Sequence, residues 1–251
     1  PTFIKLGQLL STRPDIVPEP YISELAKLQD TAPTLPAAVI REVIEVEFGA
    51  PVSELFSRFD DVPIAAASLA QVHSAVLMDG TPVIVKVQRP GIREQVETDI
   101  DILYRRARFL EGHWERARIY GLIDIVDEFA TTIREELDFT REGRNTDRLR
   151  EVLARGTGMR VPVVYWDFTT SRVLTLEQMH GIKISEVRCR PLTEISCEEL
   201  ADRLARGFLE QVFVEGFFHA DPHPGNILVS DSGEILLVDC GQVGRLDPEN
   251  K

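Results

Sequence analysis

The sequence is poor in cysteine, in tryptophan and in long apolar runs. Its three cysteines, Cys189, Cys197 and Cys240, are irregularly spaced. They form neither a disulfide framework nor a zinc-ligand pattern, and they point to a reducing compartment. No stretch reaches the ~20 consecutive uncharged apolar residues of a membrane span, and no signal peptide opens the chain. Basic residues are in deficit, 28 Lys and Arg against 41 Asp and Glu, for a net charge of −13. With no Lys/Arg-rich run in view, a nucleic-acid footprint is excluded, and the acidity reads as solubility. Internal repeats and low-complexity segments are absent. So is the G-x-G-x-x-G of a nucleotide-binding loop. The chain opens at Pro1 and closes at Lys251, ten residues after Gly241. It is read as a piece of a longer protein, whose other segments would carry targeting or membrane anchors.

What is present is enough apolar residue, 43% of 251, for one large domain or two lobes. The first 35 residues have helical apolar spacing interrupted by prolines. "PAAVIREVIEVEF" (36–48) reads as a helix opened by Pro36 and stopped at Gly49. "QVHSAVL" and "PVIVKVQ" read as strands joined through the Asp-Gly of "MDGT". Residues 92–150 read as long helices. Ile100, Leu103, Tyr104, Ala107 and Leu110 fall on one face, and Ile123, Val126, Phe129, Ile133 and Leu137 on another. "VPVVYWDF" and "SRVLTLEQM" are strand-like. "SCEELADRLARGFLEQVFVEGFF" is a helix with Ser196 as N-cap and Glu199 closing a capping box. "NILV" and "EILLVD" flank the turn "SDSG". Strands joined by tight turns predict antiparallel pairing, hence an α+β architecture and not an alternating βαβ one.

"FHADPHPGNILV" (218–229) gathers two His, an Asp and an Asn at one turn. Two chemistries fit. His219, Asp221 and His223 could ligate a divalent metal. Alternatively, Asp221 and Asn226, five residues apart, could be the base and the metal-holding amide of a phosphoryl-transfer loop. Other parts favour the second. Lys86 is the one charge in the strand "PVIVKVQ", and Asp239 follows the strand "EILLV" in "DCG". A lone Lys86 would be an edge-strand guard, and a lone "DCG" a turn. Together, in this order, they are far more specific. The metal reading has few further donors beyond Asp221 and Asp239, which the phosphoryl reading already uses. His219 then braces the loop, and Pro222 and Pro224 fix its shape. Where a kinase places its glycines, this chain has "PIAAASLAQVH", and alanine restricts φ and keeps a methyl in the way of close phosphate approach.

These residues resemble the UbiB family of atypical protein-kinase-like proteins, also called aarF-domain kinases. The resemblance rests on "KLGQ" (Lys5 to Gln8), "AAAS" (Ala65, Ala66, Ala67 and Ser68), Lys86, "ELD" (Glu136 to Asp138), Glu142, "ADPHPGN" to Asn226, and "DCG" at Asp239 to Gly241. It implies a two-lobed kinase-like fold: an N-terminal helical extension over 1–58, an N-lobe with the alanine loop and a helical insertion over 59–180, and a truncated C-lobe over 181–251. It implies ATP or ADP with Mg2+. Lys86 pairs with Glu142, Asp221 stands for the catalytic aspartate, and Asn226 and Asp239 hold the metal. Lys5 and Gln8 fold over the protein-substrate position, near Glu136 and Asp138. Adenine is expected along a backbone hinge near Glu177 to Met179. Cys240 stands where kinases carry phenylalanine.

One strain is visible at once. Glu136, Asp138 and Glu142 at i, i+2 and i+6 cannot share one face of a regular helix, since the first two diverge by about 200°. The expected function is an atypical kinase or ATPase supporting ubiquinone or another isoprenoid lipid, acting on a lipid or quinone intermediate. It is placed in the cytoplasm or peripherally on a membrane, held there by segments outside this chain. A nucleotide-sensing pseudokinase scaffold and a conventional Ser/Thr kinase remain the alternatives.

Overall fold

The computed structural model describes all residues except 12, 15–16, 26–27, 29–31, 155–157, 188–194 and 248–251, and only the backbone of 116. Cys189 lies outside the described residues. The chain runs α1 Thr2–Ser11, α2 Glu19–Leu25, α3 Ala37–Phe48, α4 Val52–Leu55, β1 Phe56–Phe59, β2 Ala65–Ala66, β3 Ala70–Leu77, β4 Pro82–Gln88, α5 Ile92–His113, α6 Glu115–Tyr120, α7 Leu122–Glu136 and α8 Phe139–Leu153. It continues with β5 Met159–Arg160, β6 Val173–Glu177, β7 Ile182–Lys183, α9 Cys197–Leu209, β8 Phe217–His219, β9 Ile227–Val229, β10 Ile235–Leu237 and β11 Val243–Arg245. Among the described residues no helix is long and apolar enough to cross a membrane.

The sheets have the orders β1-β3-β4-β6 with β2 on β3, β5-β10-β9-β7, and β11-β8. Pairing is antiparallel as expected, with one correction. β10 meets β5 in parallel, Ile235 opposite Met159, because those strands are remote in sequence and no hairpin dictates their direction.

Two compact units emerge, residues 1–73 with 86–138, and residues 74–85 with 139–251. The first is cored by Leu69, Val96, Ile100, Phe129, Ile133 and Leu137, with Leu6 and Leu9 of α1 and Leu103 and Tyr104 of α5 packed on them. The helical face read from α5 and α7 is therefore the buried one. α3 ends as expected at Gly49, whose φ of 66° suits glycine. In α1, a Cβ on Gly7 would stand 2.4 Å from Leu28 Cδ1. The glycine of "KLGQ" thus lets α1 lie close against the segment after α2.

The second unit is cored by Leu149, Val161, Leu200, Phe217, Ile227, Ile235 and Leu237. Two expected elements are corrected here. "VPVVYWDF" is not a strand. Pro162 brings no N–H, Val164 makes only an isolated bridge to Leu176, and Trp166–Phe168 closes into a 3-10 turn. The helix expected to run through Phe218 ends sooner. α9 widens into a π-type segment, Glu210–Glu215, stops at Gly216 with φ 65°, and Phe217 starts β8.

The start of α9 matches its sequence reading. Ser196 Oγ accepts from Glu199 N at 3.2 Å, and Glu199 Oε2 accepts from Ser196 N at 3.0 Å. Ser196→Ala should therefore lower stability by about 1 kcal/mol, read as a fall in the urea midpoint at unchanged m-value.

Candidate active site

The polar loop is built around one buried imidazole. β8 pairs with β11, His219 opposite Val243, and sets His219 at the mouth of the loop with 2% of its surface exposed. Its Nδ1 accepts from Asp221 N at 3.2 Å, so Nε2 carries the proton and donates to Asp239 O at 2.5 Å. One ring thus ties the backbone of Asp221 to the backbone of Asp239. The expected bracing role of His219 is what the geometry shows.

The other two members are tied as firmly. Asn226 Nδ2 donates to Asp221 Oδ2 at 3.0 Å, which leaves its amide oxygen for another partner. Asn226 O accepts from Val238 N at 3.0 Å, the residue before Asp239. Asp239 Oδ1 accepts from Gly241 N at 3.0 Å. A Cβ on Gly241 would lie 3.2 Å from that oxygen and 3.9 Å from Glu142 Oε2. Glu142, on α8, is only 7% exposed. The structure therefore brings Asp221, Asn226, Asp239 and Glu142 into one region of the second unit.

The donor set decides which cation it suits. Carboxylate and amide oxygens are hard ligands, suited to magnesium held by few protein groups together with phosphate oxygens and water. The His219/Asp221/His223 alternative does not fit. Both nitrogens of His219 are engaged with the backbone, and His223 Nδ1 accepts from Gly225 N at 3.1 Å. Among the described residues no three His, Cys, Asp or Glu converge as a metal site.

In the first unit, Lys86 is half-buried on β4. The alanine loop leaves the β2–β3 ladder, where Ala65 faces Val72 and Ala66 faces Gln71. It closes with Ala67 N on Ala70 O at 2.8 Å, and Ser68 is buried. The sequence reading missed Arg89, whose Nε donates to Ala67 O at 2.8 Å and whose second nitrogen reaches Pro33 O at 2.7 Å. It also missed buried Gln71, which holds both backbone groups of Leu35 at 2.8 and 3.2 Å. Ala32 N donates to Ala66 O at 3.1 Å. The loop is thus clamped by the segment ahead of α3. An arginine just after a strand, in "VQRPG", was the available signal.

Lys5 Nζ lies 3.1 Å from Glu136 Oε2, both mostly covered, and Gln8 Nε2 donates to Leu28 O at 3.3 Å. The helix expected to carry Glu136, Asp138 and Glu142 is broken, α7 ending at Glu136 and α8 beginning at Phe139. The cause is capture of Leu137 O, by Gln88 Nε2 at 2.6 Å and Arg93 at 2.9 Å. Glu177 pairs with Arg160, and its N–H donates to Val163 O at 2.8 Å. Among the described residues the backbone of Met179 makes no hydrogen bond.

The family model of the ABC1 atypical kinase-like domain matches residues 27–251. A probable protein kinase UbiB of Marinobacter nauticus is 40% identical over the whole chain, which covers 47% of that protein. The chloroplastic Protein ACTIVITY OF BC1 COMPLEX KINASE 7 of Arabidopsis thaliana is 40% identical over 98% of the chain, or 35% of its own length. Rv3197 of Mycobacterium tuberculosis, solved in complex with erythromycin, superposes with a TM-score of 0.73 at 30% identity. The match covers 95% of this chain and 60% of that one. The chain spans less than half the length of those two curated relatives.

Replacing the imidazole tests the architecture directly. His219→Phe keeps the volume but leaves a buried N–H and C=O unpaired. It should cost about 2–6 kcal/mol, at about 1–3 kcal/mol per orphaned group, measured by chemical unfolding.

Proposed function

Since the chain belongs to the ABC1 atypical kinase-like family, whose kinase-like fold of mixed helix and sheet it carries, we propose that it binds a magnesium–adenine nucleotide and transfers or hydrolyses its terminal phosphoryl group. The observation that carries this reading is the Asp221–Asn226–Asp239 cluster organised by His219. It reproduces the division of labour that phosphoryl transfer needs: one carboxylate for the nucleophile, and one carboxylate and one amide oxygen for a metal.

In this reading Asp221 orients an acceptor hydroxyl or water and takes its proton, while the Asn226 amide holds the carboxylate in place. Asn226 and Asp239 would hold magnesium, which would neutralise charge on the phosphate oxygens. Lys86 and the loop Ala65 to Ser68 would serve the nucleotide phosphates, and Glu142 would assist Lys86. Adenine would run along the backbone at Glu177 to Met179, where the Met179 amide makes no hydrogen bond among the described residues. Lys5 and Gln8 belong to helices that restrict access of a protein substrate. The acceptor in this proposal is a lipid or quinone intermediate of ubiquinone or another isoprenoid pathway. A cytosolic-face location is part of the same proposal. The clamped alanine loop argues against a conventional Ser/Thr kinase, whose loop flexes on glycines.

Thermal shift with ADP and ATP, with and without magnesium, tests the reading. A nucleotide at a hundredfold excess over its dissociation constant stabilises by about 2.7 kcal/mol, enough to raise Tm by a few degrees. Asp239→Asn should lose the magnesium-dependent shift. Normal turnover by that variant would sink the metal assignment. Asp221→Asn should keep binding and lose turnover, and unchanged function of this variant in cells would point to the scaffold reading.

A further inference from the structure

We propose that His73 is a proton-sensitive positioning residue for the alanine loop: it orients the Gln71 amide that clamps the approach to α3, and a proton taken up by its ring releases that clamp. Gln71 and His73 lie two residues apart on one face of β3, and neither exposes any surface. The ring is oriented from outside the strand, since His73 Nδ1 lies 2.8 Å from Asp60 O. A carbonyl only accepts, so Nδ1 carries the proton and Nε2 is left as an acceptor. Gln71 Nε2 donates to it at 2.9 Å. The same amide nitrogen donates to Leu35 O at 3.2 Å, and Gln71 Oε1 accepts from Leu35 N at 2.8 Å. Both amide hydrogens and the amide oxygen are engaged, and the neutral imidazole settles which way round the amide sits.

A second proton on the ring reverses that choice. Nε2–H would then point at the Gln71 amide nitrogen, donor against donor. Turning the amide over would satisfy the ring, but it would set the amide nitrogen against Leu35 N and the amide oxygen against Leu35 O. No orientation of one amide serves both a cationic His73 and the two backbone groups of Leu35. The bonds to Leu35 are the ones that give way, because both side chains are rooted in β3 whereas Leu35 belongs to the irregular segment ahead of α3. That segment holds the loop: Ala32 N donates to Ala66 O at 3.1 Å, and Arg89 ties Pro33 O to Ala67 O. A proton at His73 is therefore felt at Ala66 and Ala67.

The surroundings keep the ring neutral while the clamp is closed. Phe59 stacks on it with centroids 5.0 Å apart. The charged groups acting on it are Asp61, Arg41 and Asp60. Asp61 accepts from Arg41 at 2.7 Å, and Asp60 accepts from Arg58 at 2.8 Å, so neither acid is left without a cation of its own. Burial outweighs them and holds the imidazole below its ordinary value. In the released state the ring is wet and takes its proton near pH ~6.5. The clamp is thus fully present above about pH 6.5 and weakens as pH falls below it, because the released state binds more protons.

Hydrogen exchange at the Leu35 amide, the N–H that Gln71 accepts, is the test. It is measured at about pH 7.5 and about pH 5.5 and corrected for the intrinsic rate at each. Protection should fall about tenfold, because proton uptake multiplies the released population about tenfold over that range. His73→Gln keeps an acceptor for Gln71 and removes the ionisable ring, so its Leu35 protection should be the same at both values. Any other titrating group acts equally in both proteins. Nitrogen NMR of the parent chain should show His73 protonated at Nδ1 near neutral pH and ionising below about pH 6.5. Equal protection of Leu35 at both values in the parent, an equal fall in the variant, or a ring that ionises at or above about pH 6.5 would each overturn the proposal. The two parent measurements decide the matter even where the variant does not fold. None of them uses nucleotide; only the consequence for phosphate binding rests on the phosphoryl-transfer reading.

Discussion

The second unit depends on a single buried imidazole. His219 joins the two stretches of backbone that present Asp221 and Asp239, accepting from one and donating to the other. Its tautomer is dictated by those partners, because the Asp221 amide can only donate and the Asp239 carbonyl can only accept. The constraint reaches back into α9. Gln211, fully buried, donates to Gly207 O at 3.1 Å and accepts from His219 N at 3.0 Å. Helix end, strand start and polar loop are therefore one hydrogen-bonded unit. Cutting it anywhere leaves buried polar groups that water cannot reach.

The first unit solves a related problem by a different device. A glycine loop can approach a phosphate but must be ordered each time. Here alanines narrow the backbone choice, and Arg89, Gln71 and Ala32 fix what freedom remains. The anchors on the far side are Pro33 and Leu35, so the alanine loop and the approach to α3 hold one another. Gln71 in turn donates to His73 at 2.9 Å, and His73 donates to Asp60 O at 2.8 Å. Burial holds the His73 imidazole below its ordinary value, which keeps this chain of bonds in one protonation state at neutral pH.

Local patterns were legible in the sequence wherever the deciding interaction is local. The capping box at Ser196 and Glu199, the stop at Gly49 and the buried faces of α5 and α7 all follow from spacings of three or four residues. The juxtaposition within the polar loop was legible too, because Asp221 and Asn226 share one turn. What escaped depends on partners remote in sequence. Nothing near "VPVVYWDF" announces that Val164 meets only Leu176, and nothing near Met159 announces a parallel partner at Ile235.

The break between α7 and α8 resolves the conflict visible among the acids. In one continuous helix, Glu136 and Glu142 would lie about 240° apart and ~9 Å along the axis, with no freedom to adjust. Two side chains from well before them in sequence, Gln88 and Arg93, take the Leu137 carbonyl out of the helical ladder. An isolated carbonyl with two lone pairs is satisfied by two donors, so ending the helix leaves no buried acceptor unpaired. Once the ladder is interrupted, each acid is placed by its own helix. Glu136 is fixed by α7 and meets Lys5 of α1. Glu142 is fixed by α8 and sits beside Gly241, two residues after Asp239. The spacing that defied a single helix is therefore the spacing two helices require, and one peptide oxygen makes the difference.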